Sequence, residues 1–133
     1  MTPLRVRTLF TVATLTAAGV LATAGSAAAS PEPPGDGWDH TYRDLGVTVY
    51  VEEYGDRISV CDAEANGSSA QVNVWADGGW RYKAVVSNGN GSCVTHSASQ
   101  GGAYNLPEGA YIELYYKGVS TSYATKSSYV NDH

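Results

Sequence analysis

From Tyr42 onward, apolar side chains recur at every second position, and that period restricts the fold more than any other feature of the chain. Val47, Val49 and Val51 alternate with Thr48, Tyr50 and Glu52, and Ala70, Val72, Val74 and Ala76 alternate with Gln71, Asn73 and Trp75. Trp80, Tyr82, Ala84 and Val86 then alternate with Arg81, Lys83 and Val85. Successive side chains of a strand point to opposite faces, so each run offers one face to a core and one to water. Turn-forming residues separate the runs: Tyr54-Gly55-Asp56-Arg57, Asn66-Gly67-Ser68-Ser69, Asp77-Gly78-Gly79, Asn88-Gly89-Asn90-Gly91 and Leu106-Pro107-Glu108-Gly109. Asp-Gly and Asn-Gly reach positive φ at little cost, which suits tight hairpin turns. Further strands are expected at Ile58–Cys61, Ser92–Ser97, Ala110–Lys117 and Ser120–Val130, with a looser region between Ala98 and Asn105. About seven short strands broken by turns predict an all-β domain, an antiparallel sandwich or small barrel.

The segment ahead of the strands reads as an address. Arg5 and Arg7 are followed by no charged residue until Glu32; the stretch between is rich in Leu, Val, Ala and Thr and ends in Ala27-Ala28-Ala29. Small residues before the cleaved bond suit a signal peptidase, so residues 1–29 are expected to be a signal peptide removed before Ser30. Thr11, Thr14, Thr16, Gly19, Thr23 and Gly25 dilute the apolar run that a permanent anchor needs. The first cysteine is Cys61, far from a lipoprotein cleavage site, and Val6 separates the arginines that a twin-arginine signal would pair. Leu106-Pro107-Glu108-Gly109-Ala110 departs from a sortase motif because Gly109 stands where threonine is required. The expectation is release as a free, secreted, extracellular protein with no stable membrane association. Residues 30–41, with Pro31, Pro33, Pro34, Gly35 and Gly37, read as a flexible arm, and residues 42–133 as the β domain.

Charge then narrows the partners. The full chain has 13 acidic against 8 basic residues, and cleavage would remove Arg5 and Arg7 from the basic side. Such a balance argues against nucleic acid or an anionic membrane, both of which reward clustered Lys and Arg. Only three lysines occur: Lys83, Lys117 and Lys126. The two cysteines, Cys61 and Cys93, permit one intramolecular bridge, which an oxidising compartment would form.

Candidate chemistry is sparse. No nucleophile elbow, zinc-protease helix motif or phosphate-cradling loop occurs, so no catalytic residues and no cofactor are assigned. His40, His96 and His133 are scattered. Asp62-Ala-Glu64-Ala-Asn66-Gly67 places oxygen ligands at alternate positions before a glycine, as calcium loops begin. Glu64 is long for its position and Asn73 stands where a closing glutamate belongs, so this is a weak calcium candidate that a hairpin turn explains equally. Glu52, Glu53 and Glu113 are candidate acids for a glycosidase, but Glu52 and Glu53 are adjacent in a strand and face apart, and the sequence places Glu113 near neither. Ten tyrosines and three tryptophans remain, against a single phenylalanine. Tyr and Trp join an apolar ring to a polar handle, as recognition surfaces require. Tyr50, Trp75, Tyr111 and Tyr115 fall on the polar phase of their strands and are expected to face outward.

The turn and cysteine motifs Val60-Cys61-Asp62, Ala65-Asn66-Gly67, Gly91-Ser92-Cys93 and Leu106-Pro107-Glu108-Gly109 resemble those of small exported actinobacterial proteins, which implies a compact β domain. Many of those proteins carry a second cysteine pair near the C-terminus, which this chain lacks. Asn88-Gly-Asn-Gly-Ser-Cys93-Val-Thr95 is faintly similar to small spore-associated secreted proteins. Trp80-Arg81-Tyr82 is similar to the tripeptide with which the small Streptomyces α-amylase inhibitors plug their target, though no cysteine here closes a loop around it. The alternation itself puts Trp80 and Tyr82 on one face with Ala84 and Val86. The expected function is a monomeric, non-enzymatic β-sandwich that binds an extracellular protein or polysaccharide through a Tyr/Trp-bearing surface. The alternative is a proteinaceous inhibitor of a secreted hydrolase acting through Trp80, Arg81 and Tyr82, and the third reading is a secreted enzyme of unrecognised type.

Overall fold

A computed structural model describes residues 32–35, 37–121 and 123–133; the expected signal peptide lies outside them. The described chain is all-β, with eight strands in two antiparallel sheets. Sheet I has the order β1 (His40–Asp44), β2 (Val47–Glu52), β3 (Arg57–Asp62), β6 (Cys93–His96). Sheet II has the order β5 (Gly79–Val86), β4 (Ala70–Ala76), β7 (Tyr111–Lys117), β8 (Thr125–Val130). Two short 3-10 turns, Ala98–Gln100 and Gly102–Tyr104, occupy the region expected to be loose.

The core forms where the inner faces meet. Val47, Val49, Val51, Ile58 and Val60 of sheet I pack with Val72, Val74, Ala84, Val86, Ile112 and Leu114 of sheet II in a single buried cluster. The alternation seen in sequence maps directly onto β4, where every second residue from Ala70 is buried. Residues 77 and 78 close the β4–β5 hairpin with φ of 48° at Asp77 and 77° at Gly78, the positive pair that a tight two-residue loop needs.

Four features depart from the simple reading. β1 is an eighth strand, missed because His40-Thr-Tyr-Arg-Asp44 contains one apolar ring and pairs along a sheet edge. It begins inside the segment read as an arm, and its neighbours also rest on the fold. Pro33 is buried, the Trp38 ring lies 5.6 Å from that of Tyr50, and the Arg57 guanidinium stacks 4.7 Å over Trp38 while donating to the Pro34 carbonyl at 3.1 Å. β2 is buried on both faces, since Thr48 and Tyr50 are as covered as the valines between them. The last strand starts at Thr125 rather than Ser120, because Gly118 ends β7 against the β1–β2 turn.

Cys61 and Cys93 form the expected disulfide. They sit directly opposite each other in β3 and β6, so the bridge clamps the short edge strand to its neighbour. Asp56 locks the opposite end: its carboxylate accepts from the Leu106 amide at 2.8 Å and from Asn131 Nδ2 at 2.9 Å, tying the β2–β3 turn to segments flanking β7 and β8.

Candidate functional site

The open face of sheet II gathers the outward-pointing aromatic residues. Strand register places its side chains in rows. Trp80, Trp75, Glu113 and Ser128 form one row across β5, β4, β7 and β8. Lys83, Asn73, Tyr115 and Lys126 form the next. Tyr111 lies two residues along β7 from Glu113 and is 47% exposed. Between these rows lies a hollow of about 520 Å³ lined by Asn73, Trp75, Gly78, Trp80, Glu113 and Tyr115. Gly78 leaves its end open, because no side chain projects from the turn there.

Local contacts fix the rings. Trp75 meets Tyr115 edge-on, with centroids 6.5 Å apart, and Lys126 Nζ lies 5.5 Å from the Tyr115 centroid. Lys126 also pairs with Glu113, and that hydrogen bond above all holds the ammonium's pKa above its ordinary value. Tyr111 donates its hydroxyl to Ser128 Oγ at 2.7 Å. The face is therefore a sheet of rings held at set angles, with an amide, a paired carboxylate and ammonium groups between them.

A β-bulge decides which tryptophan belongs to it. Val74 registers with Tyr82, but Trp75 registers with Trp80, so Arg81 is the extra residue and the phase of β5 reverses there. Trp80 consequently turns outward, 58% exposed, while Tyr82 stays in the core at 4%. Arg81 folds to the side and donates to the Asn105 carbonyl at 2.8 Å. The face shared by Trp80 and Tyr82 in the sequence reading does not exist, because strict alternation cannot anticipate an inserted residue. Trp80-Arg81-Tyr82 is thus distributed between surface, edge and core. Trp75, Trp80, Tyr111 and Tyr115 come together; Arg81 and Tyr82 do not join them.

Sequence reasoning missed Asn73, Lys83, Glu113, Lys117 and Lys126 as parts of this face. The missing step was the pairing of β4 with β7, strands separated by more than thirty residues. Their shared polar phase was the available signal.

The other candidates are engaged in structure. Asp62 Oδ1 accepts from the Glu64 amide at 3.1 Å, and Asn66 Oδ1 accepts from the Ser68 amide at 2.8 Å. Asn66 Nδ2 donates to the Gly118 carbonyl at 3.0 Å. The weak calcium candidate thus spends these side chains on shaping its own loop and on binding Gly118. Glu52 pairs with Arg57, and Glu53 with His40 at 2.6 Å. The latter hydrogen bond keeps the Glu53 carboxyl below the usual range. Among the described residues, Asp56, Glu108 and His133 bring ligand-type atoms within 4.8 Å of one another, a grouping with no signal in sequence. Both Asp56 oxygens already accept hydrogen bonds from Leu106 and Asn131.

Compared with protein-family models, curated proteins and solved structures, the chain matches none. No helix among the described residues is long and apolar enough to cross a membrane.

Proposed function

We propose that this chain is an exported, non-enzymatic β-sandwich that binds an extracellular polysaccharide through the open face of sheet II. The observation that carries the reading is the Trp75–Trp80 pair, set beside Tyr115 along a hollow that Asn73 and Glu113 also line. A pyranose ring has an apolar C–H face and a rim of hydroxyls. The exposed Trp80 ring and the half-buried rings of Trp75 and Tyr115 suit the first, and the interleaved amide and carboxylate groups suit the second. A protein partner is the weaker fit, because the centres of protein interfaces are depleted of the Lys and Glu that this face carries. An inhibitor acting through Trp80-Arg81-Tyr82 draws less support, since Tyr82 is buried. An enzymatic reading is disfavoured by the ion pairs that engage Glu52, Glu53 and Glu113 separately. Export rests on the leader and on the disulfide it would permit.

The test is depletion of the protein from solution by a panel of insoluble and immobilised polysaccharides, with Trp75→Ala and Trp80→Ala as variants. Retention of the wild type on at least one polymer, reduced tenfold or more by each variant, is expected. Retention that both variants preserve would overturn the assignment of this face.

A further inference from the structure

We propose that the polysaccharide is anionic, a carboxylated polymer of the uronic-acid class whose carboxylates are met by Lys83 and Lys117 while the tryptophans hold its ring faces. This rests on the preceding reading of the face and adds the class of its ligand.

Three observations carry it. First, all three lysines of the chain lie on this one face: Lys83 opposite Asn73, Lys117 opposite Gln71 and Lys126 opposite Tyr115. The chain as a whole is acidic, with 13 Asp and Glu, yet Glu113 is the single carboxylate among the outward-facing strand positions of sheet II. Second, Lys126 already neutralises Glu113, whereas Lys83 and Lys117 form no ion pair among the described residues. Two unpaired ammonium groups thus remain beside the rings. Third, they are separated by two strand spacings across the sheet and two residues along it, roughly 12 Å from strand geometry. That suits charges borne at intervals along an extended polymer.

Charge density separates this ligand from nucleic acid. Duplex DNA presents a phosphate about every 1.7 Å and is held by many cationic contacts at once. Two free lysines on an acidic protein cannot match that density, but they match a polymer with one carboxylate per sugar. Lysine also acts as a point charge, adaptable to a single carboxylate, where dense phosphate recognition favours arginine forks.

Affinity electrophoresis in gels containing polygalacturonate, its fully methyl-esterified form or a neutral glucan tests the proposal. Polygalacturonate is expected to retard the protein, with at least a tenfold weaker effect after esterification, in 0.5 M salt, or in the double variant Lys83→Ala/Lys117→Ala. Lys83 is exposed and Lys117 half-buried, and circular dichroism would verify that the variant keeps its β signature. Equal retardation by ester and acid, insensitive to salt and to the lysine substitutions, would overturn the anionic ligand while leaving polysaccharide binding intact. Retardation by neutral glucan alone would do the same. Retardation by no polysaccharide, charged or neutral, would overturn both readings. Equal or tighter binding of a single-stranded oligothymidylate would overturn the choice of polymer.

Discussion

Trp75 and Trp80 stand directly opposite each other across the β4–β5 hairpin, although Val74 and Tyr82 just beyond them set the opposite phase. Arg81 is the residue that makes this so. Left out of the pairing, it lets β5 present Tyr82 to the core and Trp80 to the solvent within three positions. The same bulge that builds the paired tryptophans breaks the tripeptide likeness. The two consequences have one cause, and substitutions on either side of Arg81 separate them.

Trp80→Ala is expected to leave stability within about 1 kcal/mol of wild type, since an exposed side chain loses little on truncation. Tyr82→Ala, at a buried position, is expected to cost about 3–5 kcal/mol, the range for removing a core aromatic ring. Denaturant titration of both variants measures the difference. Similar losses would mean that both residues share the core, as strict alternation predicts.

Gly118→Ala is expected to destabilise by about 3 kcal/mol, the upper end for forcing atoms into a packed site. A Cβ at Gly118 would overlap the backbone of Gly46, and a Cβ at Gly46 would lie 2.7 Å from the Gly118 carbonyl oxygen. Gly46 additionally holds φ at 72°. The two glycines let the β1–β2 turn touch the end of β7, where Asn66 Nδ2 also binds the Gly118 carbonyl. Thermal melts would show the loss, and an alanine variant as stable as wild type would disprove the close approach.

The strands that sequence revealed best are those with one buried face. β4 could be read residue by residue, because its inner positions are buried, its outer ones half-exposed, and its alternation is unbroken. β2 reads as alternating too, yet Thr48 and Tyr50 are both buried, and Trp38 from the supposed arm lies against Tyr50. Proline, glycine and acids dominate that segment, and Trp38, with the buried Pro33, carries its packing. The aromatic part of the candidate site was legible because Trp75, Tyr111 and Tyr115 fall on polar phases of their own strands. Its lysines were not, because Lys83, Lys117 and Lys126 sit on three different strands, and only the β5-β4-β7-β8 order brings them to one face. Local patterning carries phase, whereas strand order depends on contacts between distant parts of the chain.

Alkaline titration should distinguish two of the ten tyrosines. Burial, above all, pushes the Tyr82 and Tyr129 hydroxyls well above the ordinary value of 10.0. A raised folded-state pKa contributes stability that is present below the unfolded value, near 10, and lost as pH climbs toward the folded one. Tyr82 and Tyr129 should therefore ionise only as the far-UV signal of the sheets disappears, as a late step in tyrosinate absorbance. The double variant Tyr82→Phe/Tyr129→Phe should lose that late step. Smooth ionisation of every tyrosine with the sheets intact would count against their burial.

The disulfide offers an effect of similar size at the edge of the sandwich. β6 has four residues and pairs only at one side, with β3; besides that short ladder and the bridge, Val94 packs on the core, Thr95 Oγ1 donates to Ser59 Oγ at 2.8 Å, and the His96 ring stacks on Tyr104 at 4.2 Å. Cys61 and Cys93 lie 32 positions apart, and closing a loop of that size in the unfolded chain is worth roughly 3–4 kcal/mol. For a domain of this size each kcal/mol moves the melting temperature by about 4–8 °C. Cys61→Ala/Cys93→Ala should therefore melt roughly 15 °C lower or more, and β6 amides should exchange with solvent well before those of β4, which has a neighbour on each side. The order matters as much as the size. If the variant lost the same stability but β4 and β6 amides exchanged together, the bridge would act on the whole sandwich rather than on its edge. A variant as stable as wild type would show that the β3–β6 ladder and the side-chain contacts hold β6 without the bridge.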